Sequence, residues 1–148
     1  MTGSSSSDGR RPILVAAGLI LHDGRCLITR RRQGTPLGGL WEFPGGKCEP
    51  GEPLEACLRR ELLEELGVAI GEARVLTVVR HEYPEHTVEL HFFLCGLAGE
   101  SEPMRDRIRP FGCEAFRWVT PEEMDGFEFP PADRPVLEML RAGVIRHP

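Results

Sequence analysis

Residues 45–68 read GGKCEPGEPLEACLRRELLEELGV and carry Glu49, Glu52, Glu55, Glu61, Glu64 and Glu65. Three of these, Glu61, Glu64 and Glu65, crowd into one short stretch of apparent helix. Like charges three and four apart on a helix repel by roughly a few tenths of a kcal/mol per pair. At helical spacing Glu61 and Glu65 lie one turn apart with Glu64 beside them, off the apolar stripe that carries Leu58 and Leu62. A solvated acidic face is the plain reading of such a cluster. Its surroundings argue for more. Gly45, Gly46 and Gly51 bring close-approaching backbone to the helix start, Glu52 sits at its mouth, and Arg59 and Arg60 interrupt the acidic run. Hard oxygen donors gathered on one rigid element suit Mg²⁺ or Mn²⁺, and Mg²⁺ is usually held by a few carboxylates together with waters and substrate phosphates. The cluster therefore predicts a divalent cation that relieves the repulsion and bridges to a phosphorylated substrate.

Several elements must hold that helix in place. Pro53 suits a first helical turn, Leu54, Cys57, Leu58, Leu62 and Leu66 recur at three- and four-residue steps, and Gly67 is a natural stop. Upstream, ILVAAGLIL (13–21) reads as a buried strand, joined through the turn signal HDG to a partner strand RCLITRRR (25–32). QGTPLGGL (33–40) reads as loop, WEF (41–43) as a short extended piece, and KCEPGE (47–52) as loop. Downstream, ARVLTVVRHEY (73–83) and TVELHFFLCGLA (87–98) form a predicted hairpin, and GESEPMRDRIRPFG (99–112) a polar connection. EAFRWVT (114–120) is a further strand, PEEM starts a short helix capped by Thr120, and ADRPVLEMLRAG (132–143) is the last helix, with Asp133 a candidate N-cap. This order predicts an α/β (α+β) sandwich around a mixed sheet.

The chain has 148 residues, enough for one core, with residues 1–10 read as a disordered tail and 11–148 as a single domain. The formal net charge of −5 argues against a nucleic-acid polymer as partner. No apolar run is long enough to span a membrane, and the polar start MTGSSSSDGRR lacks a secretory signal. The five cysteines include no CxxC pair and fit reduced, structural thiols in a cytoplasmic protein. Cys48, in a Gly-rich loop, is the one whose reactivity stays open. The five histidines show no zinc spacing and read as structural or surface groups.

The order Gly46, Glu52, Arg60-Glu61-Leu62, Glu64-Glu65, Gly67-Val68 resembles the signature of the Nudix hydrolases at every fixed position. That resemblance implies an α/β/α sandwich with a mixed sheet and hydrolysis of a nucleoside diphosphate linked to some group X. It implies that Glu61, Glu64, Glu65 and the Gly45 carbonyl hold Mg²⁺ or Mn²⁺, that Glu61 orients or deprotonates the attacking water, and that Arg60 pairs with a carboxylate, Glu52 being the expected partner. ITRRRQGTPLGGLWEFPGGK and EFPPADRPVLEMLR further resemble the MutT branch, nucleoside triphosphate pyrophosphohydrolases that remove oxidised dGTP. By position, Arg31, Glu42, Phe43 and Asp133 would then surround the base.

Two departures bear on this resemblance. Where the best-matched pattern has Asn, this chain has Asp133, and an ionised carboxylate only accepts hydrogen bonds. An acceptor suits the N–H groups of guanine and equally the amino group of cytosine, so a CTP- or dCTP-directed enzyme stands beside the 8-oxo-dGTP reading, as does another X group. The second departure is an additional glutamate expected before Trp118: Gly112 stands there instead, so either Glu114 substitutes or the site works without that ligand. A non-catalytic sensor module fits less well, because the glutamates are intact and no residues remain for a DNA-binding appendage. A monomer or homodimer is expected.

Overall fold

The computed structural model describes residues 11–99 and 101–145, so the tail predicted over 1–10 lies outside the described residues, as does His147. Within them, β1 (Ile13–His22) and β2 (Arg25–Arg30) form an antiparallel hairpin, with Leu21 opposite Cys26. The HDG turn that joins them puts Asp23 and Gly24 at positive φ, which an Asp-Gly pair tolerates. β3 (Trp41–Glu42) pairs with the end of β2, Thr29 opposite Glu42. β5 (Ile70–Glu82) and β6 (Thr87–Leu97) make the predicted long hairpin, interrupted by two register shifts. β6 runs parallel to β1 from Ile13 opposite Val88 to Ile20 opposite Cys95, and this one parallel pairing makes the sheet mixed. β7 (Ala115–Val119) joins β2 antiparallel, with Leu27 opposite Trp118.

The alternation of β1 explains the three layers. Ala16 and Ile20 face one side and pack with Leu58, Leu62 and Leu66 of α1 (Leu54–Leu66). Ala17 and Leu19 face the other side and pack with Val136 and Leu140 of the last helix, Arg134–Arg141. Leu58, Leu62 and Leu66 have no solvent exposure, and each such burial is worth about 2 kcal/mol. Gly18 lies under α1, where an added Cβ would meet Leu58 Cδ1 at 3.3 Å, so its lack of a side chain lets the helix sit close to the sheet. Gly67 ends α1 in the left-handed region, at φ 68°, and its N–H bonds to Leu63 O at 2.9 Å.

Three expectations need correction. Lys47, read as the start of the loop 47–52, ends a short strand: Gly45–Lys47 forms β4, antiparallel to β1 with Ala16 opposite Gly46. The glycines permit this close backbone pairing, since a Cβ on Gly45 would collide with the Ala16 carbonyl. The connection 99–112 contains a short helix, α2 (Ser101–Asp106), and Met104 and Ile108 pack on the α1 layer. Its apolar residues are too few to show a helical period. Asp133 directly precedes α3 (Arg134–Arg141) but makes no capping hydrogen bond, its carboxyl being buried instead. The Thr120 cap is present: Glu123 N–H donates to Thr120 Oγ1 at 3.2 Å, and Thr120 N–H to Glu123 Oε1 at 2.8 Å. No helix among the described residues is long and apolar enough to cross a membrane.

Candidate active site

β4 runs from the cavity described below to the start of α1, and the acidic cluster forms where the two meet. Arg60 is the organising side chain. Its Nε and Nη2 donate to the two oxygens of Glu52 at 2.8 and 2.9 Å, a forked pair. Its Nη1 reaches Glu61 Oε2 at 3.0 Å and Glu64 Oε1 at 3.1 Å, and Nη2 also donates to Lys47 O at 3.2 Å. Glu49 N–H donates to Glu52 Oε1 at 3.0 Å. The Arg60 guanidinium first, and that amide second, hold the Glu52 carboxyl down at about 2. The expected Arg60–Glu52 pair is therefore formed, and it ties the loop before α1 to the helix.

Glu61 lies against Gly46, in space that any side chain at position 46 would fill. Glu64 is largely exposed, whereas Glu65 turns inward. Burial pushes the Glu65 carboxyl up to about 8; Glu42 and Glu61 add to the effect, and the Gly45 backbone and Arg31 oppose it. Glu65 Oε1 is buried without a hydrogen-bond partner. Among the described residues no three His, Cys, Asp or Glu side chains converge as a ready-made metal cage. The donor set still fits a hard divalent cation. It is all oxygen, one carboxylate oxygen is orphaned, and Mg²⁺ takes only part of its shell from protein. A cation beside Glu65 would remove the cost of burying that acid.

Beyond Glu65 the site opens into a cavity of about 520 Å³. Gly45, Gly46 and Lys47 line the end nearest α1. Val15, Ala17, Val88 and Leu90 of the sheet contribute apolar wall, and Ala132 and Asp133 come from the segment before α3. Phe43 is both cavity lining and core: it is buried, with its ring 5.5 Å from that of Phe129 and 6.1 Å from that of Phe92. Arg31 points to both Glu42 oxygens at 3.3 Å and donates through Nε to Pro36 O at 2.7 Å. Arg31 is thus a wall residue that also pins the loop 33–40. Asp133 is 4% exposed, and its Oδ2 lacks a partner. Burial first, and Glu42 second, push its carboxyl well above the usual range. Burial also raises Glu42, against the pull of Arg31.

The structure thus brings Arg31, Glu42, Phe43 and Asp133 to one cavity and places Glu52, Arg60, Glu61, Glu64 and Glu65 along α1, from the loop before it to its last turn. Glu114 lies 4.0 Å from Arg30 Nε, and two residues earlier Gly112 N–H donates to Glu65 O at 2.9 Å. Sequence reasoning missed the opposite wall. Pro36 and Leu37 come from the loop after β2, and Tyr83, Pro84 and His86 from the tip of the β5–β6 hairpin. The Tyr83 ring stacks near His81 and His86, at 4.6 and 5.4 Å. His86, read from sequence as structural or surface, borders the cavity. The chain's only tyrosine, placed between two histidines at a turn, was the available signal.

Comparison with known proteins follows the same boundaries. A family model described as "NUDIX domain" matches residues 16–139. The 8-oxo-dGTP diphosphatase of Haemophilus influenzae is 34% identical over 132 residues, covering 88% of this chain and 93% of that protein. The CTP pyrophosphohydrolase of Escherichia coli is 33% identical over 130 residues, covering 88% and 92%. The crystal structure of a MutT NUDIX hydrolase from Burkholderia pseudomallei superposes with a TM-score of 0.71 at 29% identity, over 87% of this chain and 98% of that one.

Proposed function

We propose, because this chain belongs to the NUDIX domain family, that it hydrolyses a nucleoside triphosphate to the monophosphate and pyrophosphate, with 8-oxo-dGTP as the preferred substrate. The observation that carries this reading is the continuity of the carboxylate helix with the cavity. Gly45, Gly46 and Lys47 border both, so a base in the cavity leads its phosphate chain directly to Glu61 and Glu65. A closed apolar wall with a few convergent polar groups suits a nucleobase.

In this reading the Gly45 carbonyl, Glu61, Glu64 and Glu65 hold the divalent cation, Mg²⁺ or Mn²⁺. When bound, the cation neutralises phosphate oxygens and polarises the phosphorus under attack. The protein's own groups do the rest. Glu61, confined against Gly46, orients the attacking water and takes its proton as the new P–O bond forms and the anhydride P–O bond breaks. Arg60 holds Glu61 and Glu64 in place while anchored on Glu52, a positioning role. Lys47 lies at the mouth as a cation for the released pyrophosphate. Arg31 and Glu42 set the cavity wall, Phe43 packs the base, and Asp133 reads its polar edge.

A second reading rests on Asp133. A buried acid with an unpartnered oxygen accepts N–H groups, and cytosine offers its amino group there. CTP or dCTP is the substrate of that reading, in keeping with the similarity to a CTP pyrophosphohydrolase. The two are separated by pyrophosphate release from 8-oxo-dGTP, dGTP, CTP, dCTP and 5-methyl-dCTP with Mg²⁺ at mildly alkaline pH. A preference of ~100-fold in kcat/KM for 8-oxo-dGTP, ~2.7 kcal/mol of selective transition-state binding, is expected. A cytidine preference moves the enzyme to the second reading. Absence of pyrophosphate from all five removes the triphosphate assignment.

A further inference from the structure

Two reactive side chains beside the site have no part in this chemistry. Cys48 follows β4, and Cys57 stands on the buried face of α1. Cys57 Sγ lies 3.6 Å from the carbonyl of Gly46, two residues before Cys48, the two thiols are neighbours, and both pack in the same core layer. Cys57 is fully buried, whereas Cys48 keeps partial exposure. The backbone at Cys48 is fixed by its N–H bond to Leu14 O at 2.9 Å. Cys57 Sγ–H donates to Gly46 O at 3.6 Å, and Arg60 Nη2 approaches the same sulfur at 4.0 Å. Cys26, Cys95 and Cys113 are all buried, so an oxidant in solvent meets Cys48 first.

We propose that Cys48 and Cys57 are an oxidation site, closed to a disulfide by hydrogen peroxide or a comparable hydroperoxide, and that closure lowers hydrolytic turnover. The Cys48 thiolate attacks one peroxide oxygen and the O–O bond breaks, giving a Cys48 sulfenic acid and one water. The Cys57 sulfur then attacks the Cys48 sulfur, the S–O bond breaks, and a second water leaves with the Cys57 proton. Two thiols lose two electrons in all, and the peroxide is reduced to two waters. The division of roles follows from burial, which holds the Cys57 thiol up at about 12 and makes it the resolving partner.

Closure reaches the site through direct contacts. A Cys57 sulfur bonded to Cys48 leaves Gly46 O and Arg60 Nη2. Gly46 supports Glu61, and Arg60 holds Glu52, Glu61 and Glu64. The loop 47–53 is then tethered to the second turn of a helix whose first residue is Leu54.

The effect on turnover rests on the activity proposed above; the crosslink does not. Both cysteines fall in one tryptic peptide, residues 48–59, with no Lys or Arg between them. The full chain with Mg²⁺ is exposed to graded hydrogen peroxide, quenched with an alkylating agent, and divided between peptide mass measurement and pyrophosphate release. Peptide 48–59 should lose two hydrogens and both alkylation sites. Turnover should fall by about fivefold or more and return with dithiothreitol. Cys48→Ser should keep the starting activity and resist the loss. The proposal is overturned if peptide 48–59 stays doubly alkylated while other cysteines oxidise. It is equally overturned if Cys48 gains oxygen without a loss of two hydrogens, or if the disulfide forms with turnover unchanged. Untreated protein that releases no pyrophosphate would fail the activity reading alone, because the peptide mass still reads the crosslink.

Discussion

Glu52 and Asp133 are acids at opposite ends of one assembly, and their surroundings differ in kind. Glu52 is gripped by two nitrogens of Arg60 and by a backbone N–H, which holds it ionised down to about 2. Asp133 is buried, lacks a partner on Oδ2, and faces another acid, Glu42. Glu65, between them in this respect, has one orphaned oxygen and a carboxyl pushed up to about 8. The outer end, Glu52–Arg60–Glu61–Glu64, already has a cation of the protein's own, Arg60, paired with all three carboxylates. Of the inner acids, Glu65 and Glu42 share Arg31 while Asp133 is only buried beside Glu42, so their unmet demand is for something that enters: a cation for Glu65, N–H donors for Asp133. Stability and substrate binding should therefore respond at different ends of the tract.

The largest expected effect comes from the seam between the two ends. Glu61→Gln keeps shape and the contact with Gly46 but removes the proton acceptor. A loss of ~10³-fold in kcat, about 4 kcal/mol, is expected, with melting temperature nearly unchanged. Retention of more than about a tenth of wild-type turnover would take Glu61 out of the reaction and leave it a partner of Arg60 only.

Protonation tests the contrast directly in chelated protein. The folded Glu65 carboxyl, near 8, lies above its ordinary 4.5. The folded state thus binds more protons between those values, and stability falls as pH rises from about 4.5 to 8, by on the order of a few kcal/mol. Glu52 acts oppositely. Its stabilising contribution is present above 4.5 and is lost as pH falls toward about 2. Melting curves in EDTA should peak near pH 5, and added Mg²⁺ should raise the melting temperature more at pH 8 than at pH 5.5. Glu65→Gln should flatten the alkaline decline; an unchanged decline would show that another group causes it.

The outer end was far more legible in sequence than the inner one, for a physical reason. Glu61, Glu64, Glu65 and Arg60 lie on one helix and Glu52 just before it, so helical spacing projects the three glutamates, while the Arg60–Glu52 pair followed from the family resemblance. Gly67 as the stop and the Leu58/Leu62/Leu66 stripe followed from the same period. The cavity draws on five separated segments, and its walls are set by tertiary pairing that no local pattern encodes. The turn at Tyr83 reached it only because the β5–β6 hairpin folds beside β1, and Leu37 only because Arg31 pins its loop. β4 was invisible because its glycines carry no side-chain pattern; their meaning lies in what they approach, Ala16 and Glu61. Asp133 was placed correctly in chain but read as a possible cap, since sequence does not show which way a carboxyl turns.

Asp133→Asn should change selectivity more than rate. Bound N–H donors favour the ionised Asp133, which only accepts, whereas the amide also donates, so the ratio of 8-oxo-dGTP to CTP turnover should rise by about 10-fold, about 1.4 kcal/mol. Removing a buried unpartnered acid should also raise the melting temperature. Ratios equal to wild type within about twofold would place the base away from Asp133 and leave Glu42 and Arg31 to read it.

The smallest effect is expected at the loop that covers the cavity. Leu37 is 42% exposed and holds φ 61°, a backbone conformation that costs a leucine roughly 1–2 kcal/mol. It is sustained by bonds from Arg31 Nε to Pro36 O and from Arg30 Nε to Gly39 O at 2.7 and 3.0 Å. Such strain persists where the surroundings over-determine it, and here they hold an apolar side chain over the cavity. Leu37→Gly should relieve the strain, so the melting temperature stays level or rises slightly, while KM rises by about threefold and kcat is kept. That split would locate Leu37 in substrate binding at the inner end. A fall in melting temperature with KM unchanged would make it a structural residue of the loop, and the cavity would then be closed by the Tyr83–His86 wall alone.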